Sequence, residues 1–254
     1  MPKISAVIIA RNEENHIERC IKSLQGVADE ILVVDTGSVD RTIGLAMSLG
    51  AEVLAIEWQG YARSKNIGNE RASYDHILSL DADEALSPEL REAILAEKPR
   101  LGGLYRFNRL TNYCGQWIRH CGWYPDPKLR LFDRRIARWE GEFVHESLQY
   151  ERGLEVKQLP GDLLHYSFES LNDHLRRVNH YSDLAAREII EQGRHISAGK
   201  LWLSPPLKFF KSYILKQGWR DGFYGLCISA ISAFDVFIRY AKVREGVIGM
   251  KDEG

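Results

Sequence analysis

Apolar and polar positions along the N-terminal half follow two rhythms: near-continuous apolar runs and runs at helical spacing. Residues 4–10 (ISAVIIA) are apolar and β-branched throughout most of their length, which predicts a central parallel strand. The polar stretch Arg11-Asn12-Glu13-Glu14-Asn15 follows. Ile17, Cys20, Ile21 and Leu24 then recur at helical spacing over residues 16–24. Residues 30–34 (EILVV) predict a second strand, ending in Asp35-Thr36-Gly37-Ser38. A helix is expected over residues 40–49 with Gly50 as its C′ residue, and a third strand over residues 52–56. Strands alternating with helices at this interval imply a doubly wound parallel sheet.

The next apolar run, residues 76–80 (HILSL), closes with Asp81-Ala82-Asp83-Glu84. It reads as a buried strand ending at a sheet edge, and in open α/β sheets ligands sit at the carboxyl ends of strands. No basic residue adjoins Asp81 and Asp83 in sequence. Two like charges so close require a cation or a proton, and a hard divalent ion bridging a diphosphate would serve. The plainer alternative is a capped strand-to-helix turn, with Ser87-Pro88-Glu89 starting the next helix. Asp35, at the end of the second strand, suits a ribose or base contact; equally, it is a turn residue beside Thr36-Gly37-Ser38. The absence of Gly-x-Gly-x-x-Gly after the first strand, and of a Walker A motif, disfavours dinucleotide dehydrogenases and P-loop enzymes.

Four blocks, SAVIIARNEE, EILVVDTGSVDRT, GYARSKNIGNERA and ILSLDADE, lie in order across residues 5–84. Together they resemble a family 2 inverting glycosyltransferase. The later blocks RFNRLTNYCGQWI, WYPDPKLRLFDR, WEGEFVHESL and LLHYSF resemble a subgroup that includes bacterial β-glucosyltransferases of the lipopolysaccharide inner core. The resemblance implies an α/β GT-A fold: a Rossmann-like, mostly parallel sheet flanked by helices. It implies a glycosyltransferase domain over residues 1–170, with a nucleotide-sugar half (1–100) and an acceptor half (101–170). A helical C-terminal appendage over 171–254 would follow.

Site roles follow from the same resemblance. Ala10, Arg11 and Glu13 would contact the nucleotide, Asp35 the uracil or ribose, and Arg63 and Lys65 the diphosphate or uracil. An Arg fork suits a diphosphate; the alternative for both cations is a charged helix face in water. Asp81, with Ala82 between the carboxylates, would bind ribose or reach the metal through water, and Asp83 would hold Mg2+ or Mn2+ directly. An inverting transfer needs one general base. Glu146 is the candidate, with Trp139 offering a flat face for a sugar, and Asp126 is the alternative. The chain departs from many family members in lacking a Glu-Asp dipeptide for the base. His165 is either a further metal or diphosphate ligand or a core histidine. His145 is a ligand, an acceptor contact or a partner of Glu146.

Composition adds limits. Net charge is −1, so whole-molecule attraction to nucleic acid is not indicated. Four cysteines without a Cys-x-x-Cys exclude a zinc site and fit a reduced, cytoplasmic protein. Met1-Pro2-Lys3 running straight into a strand argues against a signal peptide. Residues 192–220 hold no acidic residue but six basic ones, Arg194, Lys200, Lys208, Lys211, Lys216 and Arg220, interleaved with Trp202, Phe209, Phe210, Tyr213 and Trp219. That suits peripheral contact of residues 194–220 with the inner face of the cytoplasmic membrane, where a lipid-linked saccharide acceptor would be met; the alternative is a packed appendage. The apolar stretch 222–234, interrupted by Asp235, is too short to span a bilayer. It predicts a buried or interfacial helix or an oligomer contact, with Asp235 and Arg239 paired at i, i+4. The leading expectation is transfer of a sugar, glucose by resemblance, from a UDP-sugar to a lipid-linked saccharide. The alternatives are a nucleotidyltransferase, disfavoured by the acidic ARNEE loop, and a non-catalytic nucleotide-sugar binding protein.

Overall fold

The computed structural model describes residues 1–141, 146–194 and 196–252, with side chains to residue 246. Strand β1 (Ile4–Ala10) is buried along its whole length. It lies between β2 (Glu30–Asp35) and β4 (His76–Asp81), both parallel to it, and β3 (Glu52–Ala55) extends the parallel set beyond β2. The intervening helices are α1 (Ile17–Leu24), α2 (Thr42–Ser48) and α3 (Tyr61–Arg71). α1 buries Ile17, Cys20, Ile21 and Leu24, the residues whose spacing predicts it. Gly50 follows α2 at φ +84°, the left-handed geometry expected of a C′ glycine.

Register sets the site. Ala10 pairs with Asp35 and Ile9 with Asp81, so the carboxyl ends of β1, β2 and β4 are level at one sheet edge. α3 approaches closely because Gly68 has no side chain: a Cβ there would meet Val34 Cγ2 at 2.5 Å and Val7 Cγ1 at 2.6 Å. A short β5 (Glu84–Leu86) follows β4. Then comes α4 (Pro88–Glu97), with Pro88 at its first position and the Ser87 hydroxyl accepting from Leu90 N at 3.2 Å.

The remaining strands are β6 (Leu104–Tyr113), β7 (Gln116–Ile118), β8 (Pro127–Asp133), β9 (Ala137–Glu140), β10 (Ser147–Tyr150) and β11 (Val156–Phe168). β8 joins β4 antiparallel, and the large sheet runs β3-β2-β1-β4-β8-β6-β11-β5, with β7 on β6. β9 and β10 form a separate antiparallel pair. Helices α5 (Leu171–Glu191), α6 (Ala198–Phe210) and α7 (Gly222–Asp252) complete the chain.

The chain forms two compact units, residues 1–110 with 126–166 and residues 111–125 with 167–254. The boundary differs from the expected break at residue 170, because residues 111–125 join the helices. Tyr113 packs on Trp123, Phe168, His174 and Tyr224, and the Cys114 amide donates to Phe168 O at 2.8 Å. The buried Asp221 carboxylate accepts from the His120 amide and Nδ1, each at 2.8 Å.

Two expectations for the C-terminal region change. The apolar residues 222–234 do not end at Asp235. They open a 31-residue helix, and residues 218–246 are long and apolar enough to cross a membrane by length and composition, with 28% of that apolar window buried. Asp235 lies within the helix, where Arg239, one turn on, pairs with it as its spacing predicts.

Candidate active site

The loops after β1 and β2 are tied to each other. Asn12, in the left-handed region at φ 55°, accepts from Val39 N at 2.9 Å, and its own amide donates to Ser38 Oγ at 2.9 Å. The Glu13 amide donates to Thr42 Oγ1 at 2.8 Å, and Glu13 Oε2 lies 2.9 Å from His16 Nδ1. Arg11 is exposed. The Ala10 carbonyl accepts from Thr36 N at 3.0 Å and Thr36 Oγ1 at 3.2 Å. Asp35 is buried. Its Oδ1 accepts from Gly37 N at 3.0 Å and Ser38 N at 2.9 Å, and its Oδ2 from Ser38 Oγ. These bonds make Asp35 a turn residue of its own loop, at the carboxyl end of β2 where the resemblance expects the ribose or base contact.

Beyond β4 the two acidic residues meet different surroundings. Asp81 is not without a basic neighbour, contrary to the expectation from sequence. Lys65 Nζ lies 3.0 Å from its Oδ1 and Arg130 Nη2 2.7 Å from its Oδ2. Burial opposes its charge more than any single neighbour favours it, yet Arg130 and Lys65 together hold the carboxyl far below the ordinary range. Arg130 Nη2 also reaches Glu84 Oε1 at 2.7 Å, and Glu84 Oε2 accepts from the Asp81 amide at 3.0 Å. Glu84 and Arg130 are both buried. Sequence reading missed Arg130, since its partners lie 49 and 46 residues away. No local pattern signals it: residues 130–133 of β8 are all buried, without alternation.

Asp83 has no lysine or arginine partner among the described residues. His165, on β11, sets its Nε2 3.2 Å from Asp83 Oδ2, while His165 Nδ1 is buried without a partner. Burial again opposes ionisation, but the His165 hydrogen bond leaves the Asp83 carboxyl below its usual value. Ala82 is buried, and its amide donates to Ile9 O at 3.2 Å. Cys20 packs beneath, its Sγ 3.8 Å from Asp81 O; burial, then Glu84, Asp83 and Asp81, push its thiol well above the ordinary value, so it stays neutral.

Lys65 also corrects an expectation. Helical patterning places it in water. Instead it is 2% exposed, 3.2 Å from Glu146 Oε1 and 4.7 Å from the Trp139 ring centroid. Trp139 is buried with its ring against Lys65, so it is not an open face for a sugar. Arg63, in the same helix, is exposed. Glu146 is thus brought to the carboxylate cluster by Lys65. Asp126 is ion-paired with Arg109 Nη2 at 2.9 Å and Lys128 Nζ at 3.0 Å. His145 lies outside the described residues.

No group of three or more His, Cys, Asp or Glu side chains suited to a metal occurs among the described residues. Asp83 and His165 nevertheless fit an ion shared with a ligand: Mg2+ typically takes one or two carboxylates and completes its shell with phosphate oxygens and water. Asp83 supplies a carboxylate unclaimed by lysine or arginine, and His165 adds an imidazole whose other nitrogen is unpaired.

Residues 5–122 match the model of glycosyl transferase family 2. An uncharacterized glycosyltransferase of Rickettsia typhi is 32% identical over 96% of this chain and 88% of its own length. The lipopolysaccharide core biosynthesis glycosyltransferase LpsC of Rhizobium meliloti is 32% identical over 96% of this chain and 93% of its own. Among solved structures, glucosyl-3-phosphoglycerate synthase from Mycobacterium tuberculosis with Mn2+ and UDP-glucose covers 44% of each chain at 24% identity, TM-score 0.36. The chain belongs to glycosyl transferase family 2.

Proposed function

We propose that this glycosyltransferase moves a sugar, glucose by resemblance, from a UDP-sugar to a lipid-linked saccharide of the lipopolysaccharide inner-core type, with inversion at the anomeric carbon. The observation that carries the reading is the separation of duties at the end of β4. Asp81 is neutralised by Lys65 and Arg130, whereas Asp83 keeps its charge beside His165. The acceptor class is supported by the likeness to LpsC.

Asp83 and His165 would hold Mg2+ or Mn2+, and the imidazole favours Mn2+. When bound, the ion would supply Lewis-acid stabilisation of the negative charge on the departing diphosphate. Arg63, exposed on α3, and Arg11 provide cationic contacts to the nucleotide diphosphate. Glu146 removes the proton from the acceptor hydroxyl as its oxygen bonds to the anomeric carbon. The bond from that carbon to the diphosphate oxygen breaks on the opposite face, and its electron pair leaves with the nucleotide. Lys65 orients Glu146.

Thermal unfolding with UDP-glucose tests the donor half, since a ligand that binds only the folded state raises the midpoint. The midpoint is expected to rise with UDP-glucose plus Mn2+ and not with UDP-glucose plus chelator. Asp83→Asn is expected to keep the ligand-free midpoint, lose the Mn2+-dependent rise and lower turnover by orders of magnitude. Turnover of Asp83→Asn near wild type at low Mn2+ would overturn the metal role.

A further inference from the structure

Outside the active site, the feature with no internal explanation is the outward face of α6 and the π-helical turn Lys211–Leu215 that continues it. Leu203, Leu207, Phe210 and Ile214 follow one another at i, i+4, i+7 and i+11, which places them on one side of a helix. They are 63%, 64%, 50% and 45% exposed. Leu201 and Ser212, on the other side, are buried. The segment therefore carries an exposed apolar stripe on the side away from its packed face. Trp202 and Leu215 are exposed beside this stripe. Trp219, Phe223 and Leu226 repeat the i, i+4, i+7 spacing into the start of α7, again exposed. Contiguous exposed apolar surface of this kind marks an interaction site.

The charges say what covers it. Lys208, Lys211 and Lys216 are exposed, and none pairs with a carboxylate among the described residues; residues 192–220 contain no acidic side chain at all. An apolar stripe with tryptophans and unpaired lysines complements an anionic lipid surface, with apolar groups entering the headgroup boundary and lysines meeting phosphates. The same lysines would repel one another across a pair of identical faces. From this we infer that the outward face of α6, the π-helical turn and the start of α7 is an interfacial membrane-binding surface for anionic phospholipid. It holds the protein on one leaflet without requiring α7 to span. α7 packs along α5 and α6, and Lys242 on it is engaged by Asp183 at 2.7 Å, by Asn179 Oδ1 at 2.9 Å and by Ser182 at 2.9 Å, contacts of a helix docked on protein. The inference does not depend on the sugar-transfer reading, because every residue in it belongs to the second unit.

Sedimentation of the full chain with vesicles of phosphatidylcholine, with and without phosphatidylglycerol, tests it. The wild type is expected to pellet with the anionic vesicles and to be partly released by salt, since screening acts within about 10 Å at 0.1 M. Lys208→Gln with Lys211→Gln and Lys216→Gln is expected to weaken binding at low salt by about a hundredfold, from roughly 1 kcal/mol per lysine. Leu203→Ser with Leu207→Ser and Phe210→Ser is expected to abolish it, with an unchanged circular dichroism spectrum. Wild-type protein left in the supernatant at low salt would overturn the inference. So would a lipid-free dimer that the serine variant splits, which would make a second copy the occupant. Retention of the serine variant in native membranes after alkaline extraction would also overturn it, by making α7 the anchor.

Discussion

At the scale of single residues, the site is governed by which carboxylates are already neutralised. Asp81 and Glu84 share Arg130, Asp126 is held by Arg109 and Lys128, and Glu146 rests on Lys65. Glu146 shares its cation with Asp81, whereas Asp126 has two of its own, a difference that no spacing in the sequence contains. Glu146→Gln is expected to lower transfer by about 10²–10⁴-fold, the ordinary contribution of a general base, while leaving the Mn2+-dependent donor shift intact. Asp126→Asn is expected to act on stability instead, by about 1 kcal/mol through the loss of partly exposed ion pairs, with transfer changed only a few-fold. Steady-state kinetics on the two variants decide the matter: greater damage from Asp126→Asn would reverse the assignment.

At the scale of elements, the junction of β6, β11 and α5 carries its own pH dependence. His174 on α5 is buried against Tyr113, whose hydroxyl lies 2.7 Å from His174 Nδ1, within the cluster of Trp123 and Phe168. Burial, then the Arg177 charge, pushes its pKa down to about 4, against the smaller opposing influence of Asp173 and Asp235. The folded form thus holds a neutral imidazole, while the unfolded chain takes up a proton near about 6.5. Stability from this group is fully present above about 6.5 and is lost as pH falls toward about 4. The thermal midpoint is accordingly expected to drop across that window, and His174→Gln to flatten the drop. An equally steep fall in the variant would assign the acid sensitivity to other groups.

At the scale of the whole molecule, the parallel half was legible nearly residue by residue. β1 is Ile4–Ala10 as its run predicts, and the expected strands over 30–34, 52–56 and 76–80 differ from β2, β3 and β4 by a single residue at one end. Buried parallel strands write themselves as apolar runs, so local pattern suffices there. The antiparallel strands, half-buried and interrupted by arginines such as Arg106 and Arg130, carry a weaker pattern, and β8 finds β4 only through long-range pairing. The same reason hid the roles of Lys65 and Trp139: a helix face read as solvated is covered by a segment more than seventy residues away, the separation of Asn66 from Trp139, with which it exchanges two hydrogen bonds.

The ties between the loops after β1 and β2 bear on the entropy of recognition. Asn12, Glu13, Ser38, Val39 and Thr42 already satisfy one another across the two loops, so these backbones have little freedom left to surrender when a nucleotide docks. Less of the interaction energy is then consumed by ordering. Amide hydrogen exchange at Asn12, Glu13 and Val39 is expected to be slow in the free protein and nearly unchanged by UDP-glucose with Mn2+. Rapid exchange that slows only with donor present would mean that the nucleotide builds its own binding edge.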